Sequence, residues 1–388
     1  MKIIKNISRI IRWGITYITS RIMCIFTKLD ENKVVFLSDV RNVLGGNLKS
    51  VYEELERTTN MELILEFKED RRIKRGFKGF IKLIKNLSTA KYILLDDYSR
   101  NINLIKVRKG QEVVQLWHGP GAFKKFGYSR PGQEKYKKLL VAGHKNYTKA
   151  IVTAEDIRWC YAEGFGMNIE KIKATGFPRT DLFFDDKYIT SVKEDIYKFY
   201  PELENKKVIM FAPTYRGDST RIAYYDWDKL DLDKIYNELK DEYIFVFKWH
   251  PAVYNNIKNG LYEGYNLEKY KGFFMDLSDN RDINDLLFVT DILITDYSSV
   301  IFDYALLNKP IVYYTYDLED YENGRGLYYN FKDYVYGDVT KDTEELIKAI
   351  KAENMQEEKR DKFMKKYKNA CEGKATNKTI EWIFGKNK

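Results

Sequence analysis

The chain has 388 residues, of which 44% are hydrophobic and 32% are charged, and its formal net charge is +9. This length predicts two domains, because one hydrophobic core seldom organises so many residues, and the composition is that of a folded soluble protein. Three cysteines, Cys24, Cys160 and Cys371, lie far apart with no CxxC or Cys/His ligand spacing. This pattern argues against a zinc site or a disulfide framework and favours a reducing, cytosolic compartment.

Residues 1–29 predict a basic amphipathic helix, since they contain six Lys and Arg residues and no acid. Their longest uncharged run, residues 13–20, is far shorter than the ~20 residues of a membrane-spanning helix, and no A-x-A-like cleavage site is present. We expect the helix to lie in the headgroup layer of an anionic leaflet; the alternative is a helix docked on the protein's own core. An apolar stripe with helical spacing supports the helix: Ile4, Ile7, Ile11, Ile15, Ile18 and Ile22.

A second basic stretch covers residues 68–85, where eight Lys and Arg residues face only Glu69 and Asp70. Positive charge focused on two segments indicates an anionic partner at defined places. Basic charge together with 15% aromatic residues raises the alternative of a nucleic-acid-binding protein. No RNP, KH or helix-turn-helix signature occurs, so we expect no nucleic-acid partner.

Residues 30–190 predict the first α/β domain. Short apolar segments that alternate with helical segments indicate a parallel sheet covered on both faces. The predicted strands are residues 34–38, 62–67, 92–95, 112–116, 150–153 and 172–175, and the predicted helices are residues 48–57 and 78–86.

A polar stretch, residues 185–207, contains a predicted helix at 192–199 and Pro201, and we place the domain junction there. Residues 205–388 then predict a second α/β domain with a charged helical tail from residue 342 onward. Two Rossmann-like halves without a G-x-G-x-x-G signature are typical of nucleotide-sugar transferases. The predicted strands of this half are residues 208–212, 243–248, 291–295 and 310–314.

Two of the three histidines, His118 and His250, each follow a predicted strand, one in each half of the chain. Ligands of open α/β sheets bind beyond the carboxyl ends of the strands. A single histidine is more often structural, but the matched placement of this pair favours function. His144 has no flanking strand, and we expect it to be structural.

Three further strand ends carry groups suited to phosphate. Ser298 and Ser299 open a helix after a strand, where free backbone donors and the helix dipole favour an anion. Thr214 and Arg216 follow another strand, as does Arg179, and arginine offers a planar set of donors to phosphate oxygens. The alternatives are ordinary helix capping by the serines and surface salt bridges by the arginines.

The ordered motifs WHGPGAFKKFG, TGFPRTDLF, FAPTYRG, KWHP, ITDYSSVIFDYALLNKPIVYY and RGLYY resemble the CDP-glycerol glycerophosphotransferase family, which builds teichoic acids. The resemblance runs from about residue 45 to about residue 329 and implies a GT-B-like fold with the donor in a cleft between two Rossmann-like domains. It departs from the family after WHG, where residues 120–123 read Pro-Gly-Ala-Phe, which bears on the acceptor more than on the chemistry. It implies two essential histidines, His118 and His250, and a substrate-binding set: Trp117, Gly119, Pro120, Gly121, Arg179, Thr214, Tyr215, Arg216, Lys248, Trp249, Ser298, Ser299 and Arg325.

The expected reaction is attack of an acceptor hydroxyl on the β-phosphorus of a CDP-polyol, with departure of CMP. His118 is the expected base, because an imidazole titrates near neutral pH, and His250 with Lys248 would offset charge on the pyrophosphate. No Asp-rich metal motif stands out, so we expect no bound metal and no cofactor.

The expected donor is CDP-glycerol or CDP-ribitol, with glycerol phosphate as the first expectation for the transferred unit. The expected acceptor is a lipid-linked wall or capsular polymer at the cytoplasmic face of the membrane, reached by peripheral association with its anionic surface. The alternative is a GT-B glycosyltransferase that uses a nucleotide-sugar. Single addition and polymerisation both remain open.

Overall fold

The computed structural model describes residues 2–68, 75–132, 144–217, 222–261, 265–279 and 282–385. Residues 69–74 of the second basic stretch lie outside the described residues, and so do the side chains of residues 2–9 of the predicted amphipathic helix. The chain divides into two compact units, residues 1–181 with 366–388 and residues 182–365.

The first unit contains a parallel sheet with the strand order β2-β1-β3-β4-β5-β6. All predicted strands of this half are confirmed, with bounds that move by a few residues at most. The order reverses between β1 and β3, which is where an open α/β sheet of this type offers a crevice for ligands. The strands are β1 Asp30–Leu37, β2 Glu62–Glu66, β3 Ala90–Leu95, β4 Glu112–Gln115, β5 Lys149–Val152 and β6 Ile172–Ala174.

Helices cover both faces of this sheet because its central strands carry apolar residues on both faces. Val34, Phe36, Leu94 and Val114 are fully buried, and they form one core with residues of α2 and of the last helix of the chain. The helices of the first unit are α1 Lys2–Phe26, α2 Gly46–Thr58, α3 Phe77–Thr89, α4 Arg100–Leu104, α5 Arg158–Phe165 and, at the end of the chain, α15 Ala375–Phe384.

The second unit contains a parallel sheet with the order β12-β11-β10-β7-β8-β9. Counted within the unit this is the Rossmann order, and it reverses between β7 and β10. The predicted strands are confirmed, whereas β9 and β12 have only three residues each and lacked a recognisable pattern. The strands are β7 Lys207–Phe211, β8 Tyr243–Phe247, β9 Phe274–Asp276, β10 Ile292–Thr295, β11 Ile311–Tyr314 and β12 Asp338–Thr340.

The helices of the second unit include α6, whose later half was expected in the junction between the two domains. It packs against α9 and therefore belongs to the second unit. The last of these helices, α14, carries the chain back to the first unit. The helices are α6 Asp186–Phe199, α7 Leu232–Leu239, α8 Pro251–Lys258, α9 Ile283–Val289, α10 Val300–Tyr304, α11 Leu318–Arg325, α12 Phe331–Tyr334, α13 Thr343–Ala352 and α14 Glu357–Tyr367.

The C-terminal tail, expected in the second domain as part of residues 205–388, returns to the first unit. The Asp181 carboxylate accepts the backbone N–H groups of Ala375 and Thr376, both at 2.8 Å, and thereby caps the start of α15. Gly176, with φ +82°, allows the returning chain to approach, since a Cβ there would lie 2.4 Å from the carbonyl oxygen of Ala370. Much of the TGFPRTD motif therefore holds the tail.

Helix α1 docks on α3 and α4 through its polar face. Thr16 and Ser20 are buried, and the Ser20 hydroxyl accepts the backbone N–H of Lys106 at 2.9 Å. Arg108 donates to the carbonyl oxygen of Cys24 at 2.7 Å. Among the described helices, none combines the length and the hydropathy of a bilayer-crossing segment. The apolar face of α1 points outward, and its exposed residues are Ile10, Ile11, Ile15, Ile18, Ile22, Ile25 and Phe26.

Candidate active site

His118 lies beyond the carboxyl end of β4, and its side chain is 47% exposed. Its Nδ1 atom is 2.9 Å from the backbone carbonyl oxygen of Asp96, at the end of the neighbouring strand β3. A carbonyl oxygen only accepts, so Nδ1 carries the hydrogen and Nε2 keeps its lone pair. A carboxylate oxygen of Asp97 lies 3.9 Å from Nδ1, close enough to stabilise an imidazolium. His118 therefore presents a nitrogen that can accept a proton.

The loop after β3, whose Asp96 carbonyl oxygen contacts His118, is held by a side chain from the loop after the neighbouring strand β1. The buried Asp96 carboxylate accepts Nε–H of Arg41 at 2.5 Å. The Arg41 guanidinium lies over the Gly45–Gly46 turn, where a Cβ on Gly46 would come within 2.7 Å of it. Gly45 and Gly46, at the start of α2, thus make room for Arg41. Arg41 in turn anchors Asp96, the residue whose carbonyl oxygen contacts Nδ1 of His118.

Trp117 is a predicted substrate-binding residue, and its half-buried ring stacks on His118, with ring centroids 4.7 Å apart. Its backbone has φ +54°, a left-handed conformation that costs a bulky residue ~1–3 kcal/mol. The same ring packs against Phe126 and Phe165 inside the unit. Trp117 therefore supports the imidazole from a strained backbone position.

The remaining predicted residues of this turn act through their backbone. The Tyr161 hydroxyl contacts the carbonyl oxygens of Gly119 and Gly121 at 2.8 and 2.9 Å, and Pro120 is buried. Arg179 donates from its guanidinium to the His118 carbonyl oxygen at 2.8 Å. Residues 117–121 thus form one loop that is held by hydrogen bonds from Tyr161 and Arg179, and Arg179 bonds to His118 itself.

His144 is buried in the first unit, as expected for a structural residue. Burial lowers its pKa to about 4, and its Nδ1 atom lies 3.2 Å from the Tyr147 hydroxyl. It packs edge-on against Trp117 and Tyr98, so it belongs to the aromatic cluster beneath the His118 turn.

In the second unit His250 lies beyond the carboxyl end of β8, where it is the N-cap of α8. Its Nδ1 atom accepts the backbone N–H of Ala252 at 3.2 Å. In a neutral imidazole the hydrogen is then on Nε2, so His250 presents an N–H donor. The ring of Tyr215, another predicted residue, lies against it with centroids 4.7 Å apart. The two histidines therefore have opposite hydrogen-bonding states.

Lys248 and Trp249 immediately precede His250, and the structure separates their roles. Burial lowers the pKa of Lys248 to about 8, against the opposing charges of Asp279, Asp282 and Asp276, and its Nζ atom lies 3.3 Å from the Ser278 carbonyl oxygen. Trp249 is only 3% exposed, in the hydrophobic core of the unit. Its predicted contact with substrate is therefore corrected to a packing role, because strand alternation turns this side chain inward.

Arg216 was predicted to bind donor phosphate, but its guanidinium is buried in ion pairs. It donates to Asp317 at 2.5 and 2.8 Å, to Asp296 at 2.8 Å and to the Thr214 carbonyl oxygen at 2.6 Å. Burial alone would lower the pKa of Arg216, yet the charges of both aspartates hold it well above the ordinary value. These bonds engage four of its five N–H groups, so we correct its role to holding the loop after β7.

The β7/β10 reversal brings Thr214 and the serine pair to neighbouring strand ends. The backbone N–H of Thr214 donates to Asp296 at 2.8 Å, and Asp296 directly follows β10. Ser298 and Ser299 are half-buried, and the Ser298 hydroxyl accepts from the Val300 N–H at 3.4 Å, while Ser299 makes no side-chain cap. Their hydroxyls thus lie where a Rossmann-type sheet binds its ligand.

Arg325, the last predicted residue, ends α11 and places its charge near Tyr321, whose ring stacks on Tyr297 at 3.8 Å. Sequence reasoning missed the aspartates Asp96, Asp97 and Asp296, although all follow a strand and the strand-end rule would have selected them. Within the described residues, no three His, Cys, Asp or Glu side chains group as metal ligands.

Each unit has a parallel sheet whose strand order reverses once, which is where such a sheet binds its ligand, and a histidine beyond the carboxyl end of one strand. These features define a GT-B-like α/β protein. The wall teichoic acid polymerase TagF has this fold: its structure aligns with a TM-score of 0.77 and 24% identity, over 98% of this chain and 96% of that one. The predicted fold class is therefore confirmed.

Residues 19–385 match the family described as CDP-Glycerol:Poly(glycerophosphate) glycerophosphotransferase, and the chain belongs to this family. The chain is 45% identical to the teichoic acid poly(ribitol-phosphate) polymerase of Bacillus spizizenii over 92% of its length, and it spans 56% of that protein. It is 33% identical to the teichoic acid ribitol-phosphate primase of the same organism, over 97% of each chain. The family predicted from the motifs is confirmed.

Proposed function

We propose that the protein transfers a polyol phosphate from a CDP-activated polyol to a hydroxyl of a wall-polymer acceptor and releases CMP. The opposite hydrogen-bonding states of His118 and His250 carry this proposal. One imidazole offers a bare nitrogen to a proton, and the other offers an N–H to a phosphate oxygen. Family membership supports the substrate class.

In the proposed step, Nε2 of His118 takes the proton of the acceptor hydroxyl as its oxygen attacks the β-phosphorus. A new P–O bond forms, and the bond between this phosphorus and the bridging oxygen breaks in line with it. CMP leaves with that electron pair, and the product is a phosphodiester. Phosphoryl transfer of this kind depends mainly on positioning and charge stabilisation. Asp97 beside Nδ1 stabilises the imidazolium that forms on His118.

The second unit supplies groups for the donor. Nε2–H of His250 and the ammonium of Lys248 would offset negative charge on the pyrophosphate, and both follow β8. Ser298 and Ser299 would hold the phosphate of the leaving CMP at the β7/β10 reversal. Arg179 and Arg325 stay candidates for the remaining phosphate oxygens, while Arg216 acts indirectly, through the loop that it anchors.

The donor carries ribitol in this proposal. The sequence alone favoured glycerol phosphate, but both curated relatives described above are named for ribitol phosphate, one of them at 45% identity. The family description names glycerophosphate, so CDP-glycerol is the second donor to be compared.

We place the acceptor at an anionic membrane surface because of the direction in which α1 docks. A helix that only completed the core would bury its isoleucines, whereas α1 buries Thr16 and Ser20 and exposes Ile15 and Ile18. Exposed basic residues such as Arg12 and, on α3, Lys78 complement an anionic leaflet.

The test is incubation with CDP-ribitol and CDP-glycerol separately, with a lipid-linked acceptor, while CMP release is followed. We expect CMP from CDP-ribitol, and His118→Ala should lower turnover by about 10²–10⁴-fold. His144→Phe is the matched control, since it removes an imidazole from the same unit and keeps the aromatic cluster filled. Near-normal turnover by His118→Ala would remove the proposed base, and release of a nucleoside diphosphate from a nucleotide-sugar would favour the glycosyltransferase alternative.

A further inference from the structure

The turn that carries His118 depends on a side chain outside the predicted site. Gln115, the last residue of β4, is fully buried. Its Oε1 atom accepts the backbone N–H of Trp117 at 2.9 Å, and its Nε2 atom donates to the carbonyl oxygen of Asp97 at 3.2 Å. Gln115 thus touches two backbone segments, and both of them determine where the His118 imidazole lies.

The first segment is the left-handed residue Trp117, whose ring stacks on the imidazole. A strained conformation persists only where the surrounding structure over-determines it. Gln115 holds the N–H of Trp117, and the buried Asn47 amide donates to the Trp117 carbonyl oxygen at 2.9 Å. Both backbone polar groups of the strained residue are therefore fixed by buried amides.

The second segment is the loop after β3. Its Asp96 carbonyl oxygen accepts from Nδ1 of His118, which sets the tautomer, and the next residue, Asp97, supplies the carbonyl that accepts from Gln115. Asn47, by contrast, donates to the carbonyl oxygens of Leu116 and Trp117 and accepts the backbone N–H of Arg179. Gln115 therefore joins the tautomer-setting loop to the turn that bears the imidazole.

We propose that Gln115 is a positioning residue for His118, which keeps the imidazole in the Nδ1–H tautomer and aims Nε2 at the acceptor hydroxyl. This inference rests on the proposed role of His118 as base. Without Gln115, the Trp117 N–H and the Asp97 carbonyl lose their partner inside a buried region, and the turn can leave its left-handed conformation. The imidazole then loses its stacked ring and its carbonyl acceptor together.

The kinetic consequence should fall on turnover. A misplaced catalytic group costs about 10²-fold for a displacement of ~1 Å, whereas the proposed donor-binding groups other than Arg179 lie in the other unit. We expect Gln115→Met to lower kcat by about 10–100-fold and to leave KM for the CDP-polyol within about threefold.

Gln111→Met is the matched control. Gln111 is also buried, directly before the same strand, where it donates to the carbonyl oxygens of Leu87 and Ala90 at 2.8 and 2.7 Å. Its loss removes a similar set of buried hydrogen bonds without touching the His118 turn. Both variants should lose stability, and only Gln115→Met should lose turnover. Gln115→Asn keeps a neutral amide but is one methylene shorter and cannot span Trp117 and Asp97 together, so it provides a second variant should Gln115→Met fail to fold.

Nuclear magnetic resonance of histidine labelled with ¹⁵N gives a readout that is independent of activity. The chain has only three histidines, so the signals can be assigned with single substitutions. We expect the Nδ1–H tautomer for His118 and the Nε2–H tautomer for His250 in the parent, and a loss of the first in the Gln115 variant alone. Unchanged His118 signals in that variant, or an equal fall in kcat in both glutamine variants, would overturn the inference. Failure of the base assignment itself would show separately, as normal turnover in His118→Ala.

Discussion

Serine substitution of four outward isoleucines of α1 should release the protein from anionic membranes. The residues are Ile11, Ile15, Ile18 and Ile22, whose exposed fractions are 57%, 47%, 57% and 47%. Complete burial of such a side chain is worth ~1.5–3 kcal/mol, so insertion of the exposed half contributes about 1 kcal/mol for each. Four substitutions should therefore remove about 4 kcal/mol, which corresponds to a ~10³-fold weaker partition into the bilayer.

Flotation with vesicles that contain anionic lipid measures this partition directly. The control variant replaces Ile222 and Leu261, which are exposed at 58% and 67% in the second unit, by serine. It should bind vesicles like the parent, and both should show weaker binding at high salt because basic residues contribute. Binding of the fourfold variant within twofold of the parent would refute the membrane role of this face.

Three further predictions concern single side chains. Because the pKa of Lys248 is lowered to about 8, the donor KM should rise above that pH as the charge is lost, and Lys248→Arg should abolish this rise. In the unfolded chain Lys248 keeps its proton up to its ordinary pKa of 10.5. Between these two pKa values the contribution of Lys248 to the free energy of unfolding should therefore increase with pH. Asp181→Ala removes the cap of α15 and should cost about 1–2 kcal/mol in a urea titration, with faster hydrogen exchange in α15. Arg216→Met leaves Asp296 and Asp317 without their cation and should lower the free energy of unfolding by about 3–5 kcal/mol, measured in the same way.

Matched variants separate these effects from general damage. Asp185→Ala removes the local cap of α6, where Asp185 accepts two backbone N–H groups, and should leave hydrogen exchange in α15 unchanged. A Lys248→Arg enzyme that keeps the alkaline rise in KM would assign that rise to another group. For Arg216, a double variant with Asp296→Asn should recover part of the lost stability, since it removes one unpaired buried charge.

The strands were predictable because a strand of a parallel sheet that is covered on both faces is a continuous apolar run, which is visible in the local sequence. Residues 34–37, for example, are uninterrupted in sequence and fully buried in β1. The three-residue strands β9 and β12 were not predicted, although β6 is equally short and was. The return of α15 to the first unit was not predictable, because its cap, Asp181, lies 194 residues before Ala375.

The candidate site was predictable as far as the strand-end rule reaches and no further. That rule selected His118, His250 and Ser298, and the structure puts each of them beyond a strand. It could not separate Lys248 from Arg216, which are equally buried in the structure. The Lys248 ammonium lies against backbone carbonyl oxygens, whereas the donors of Arg216 are engaged by two aspartates. Both are basic residues after a strand, and the difference between them depends on partners distant in sequence: Asp317, for example, lies 101 residues from Arg216.

The same dipeptide, Trp-His, follows a strand in both units, and the residue after it sets which nitrogen of the histidine carries the hydrogen. Pro251 occupies the first position of α8, where its fixed φ and missing N–H suit a helix start, so His250 becomes the N-cap and its Nδ1 accepts from the next free N–H. Gly119 starts no helix, and His118 instead turns Nδ1 toward the carbonyl oxygen of a neighbouring strand end. A helix start offers only donors, while a strand end offers a carbonyl acceptor. The local backbone therefore leaves His250 with an N–H on Nε2 and His118 with a lone pair on Nε2, which is the state that the proposed base requires.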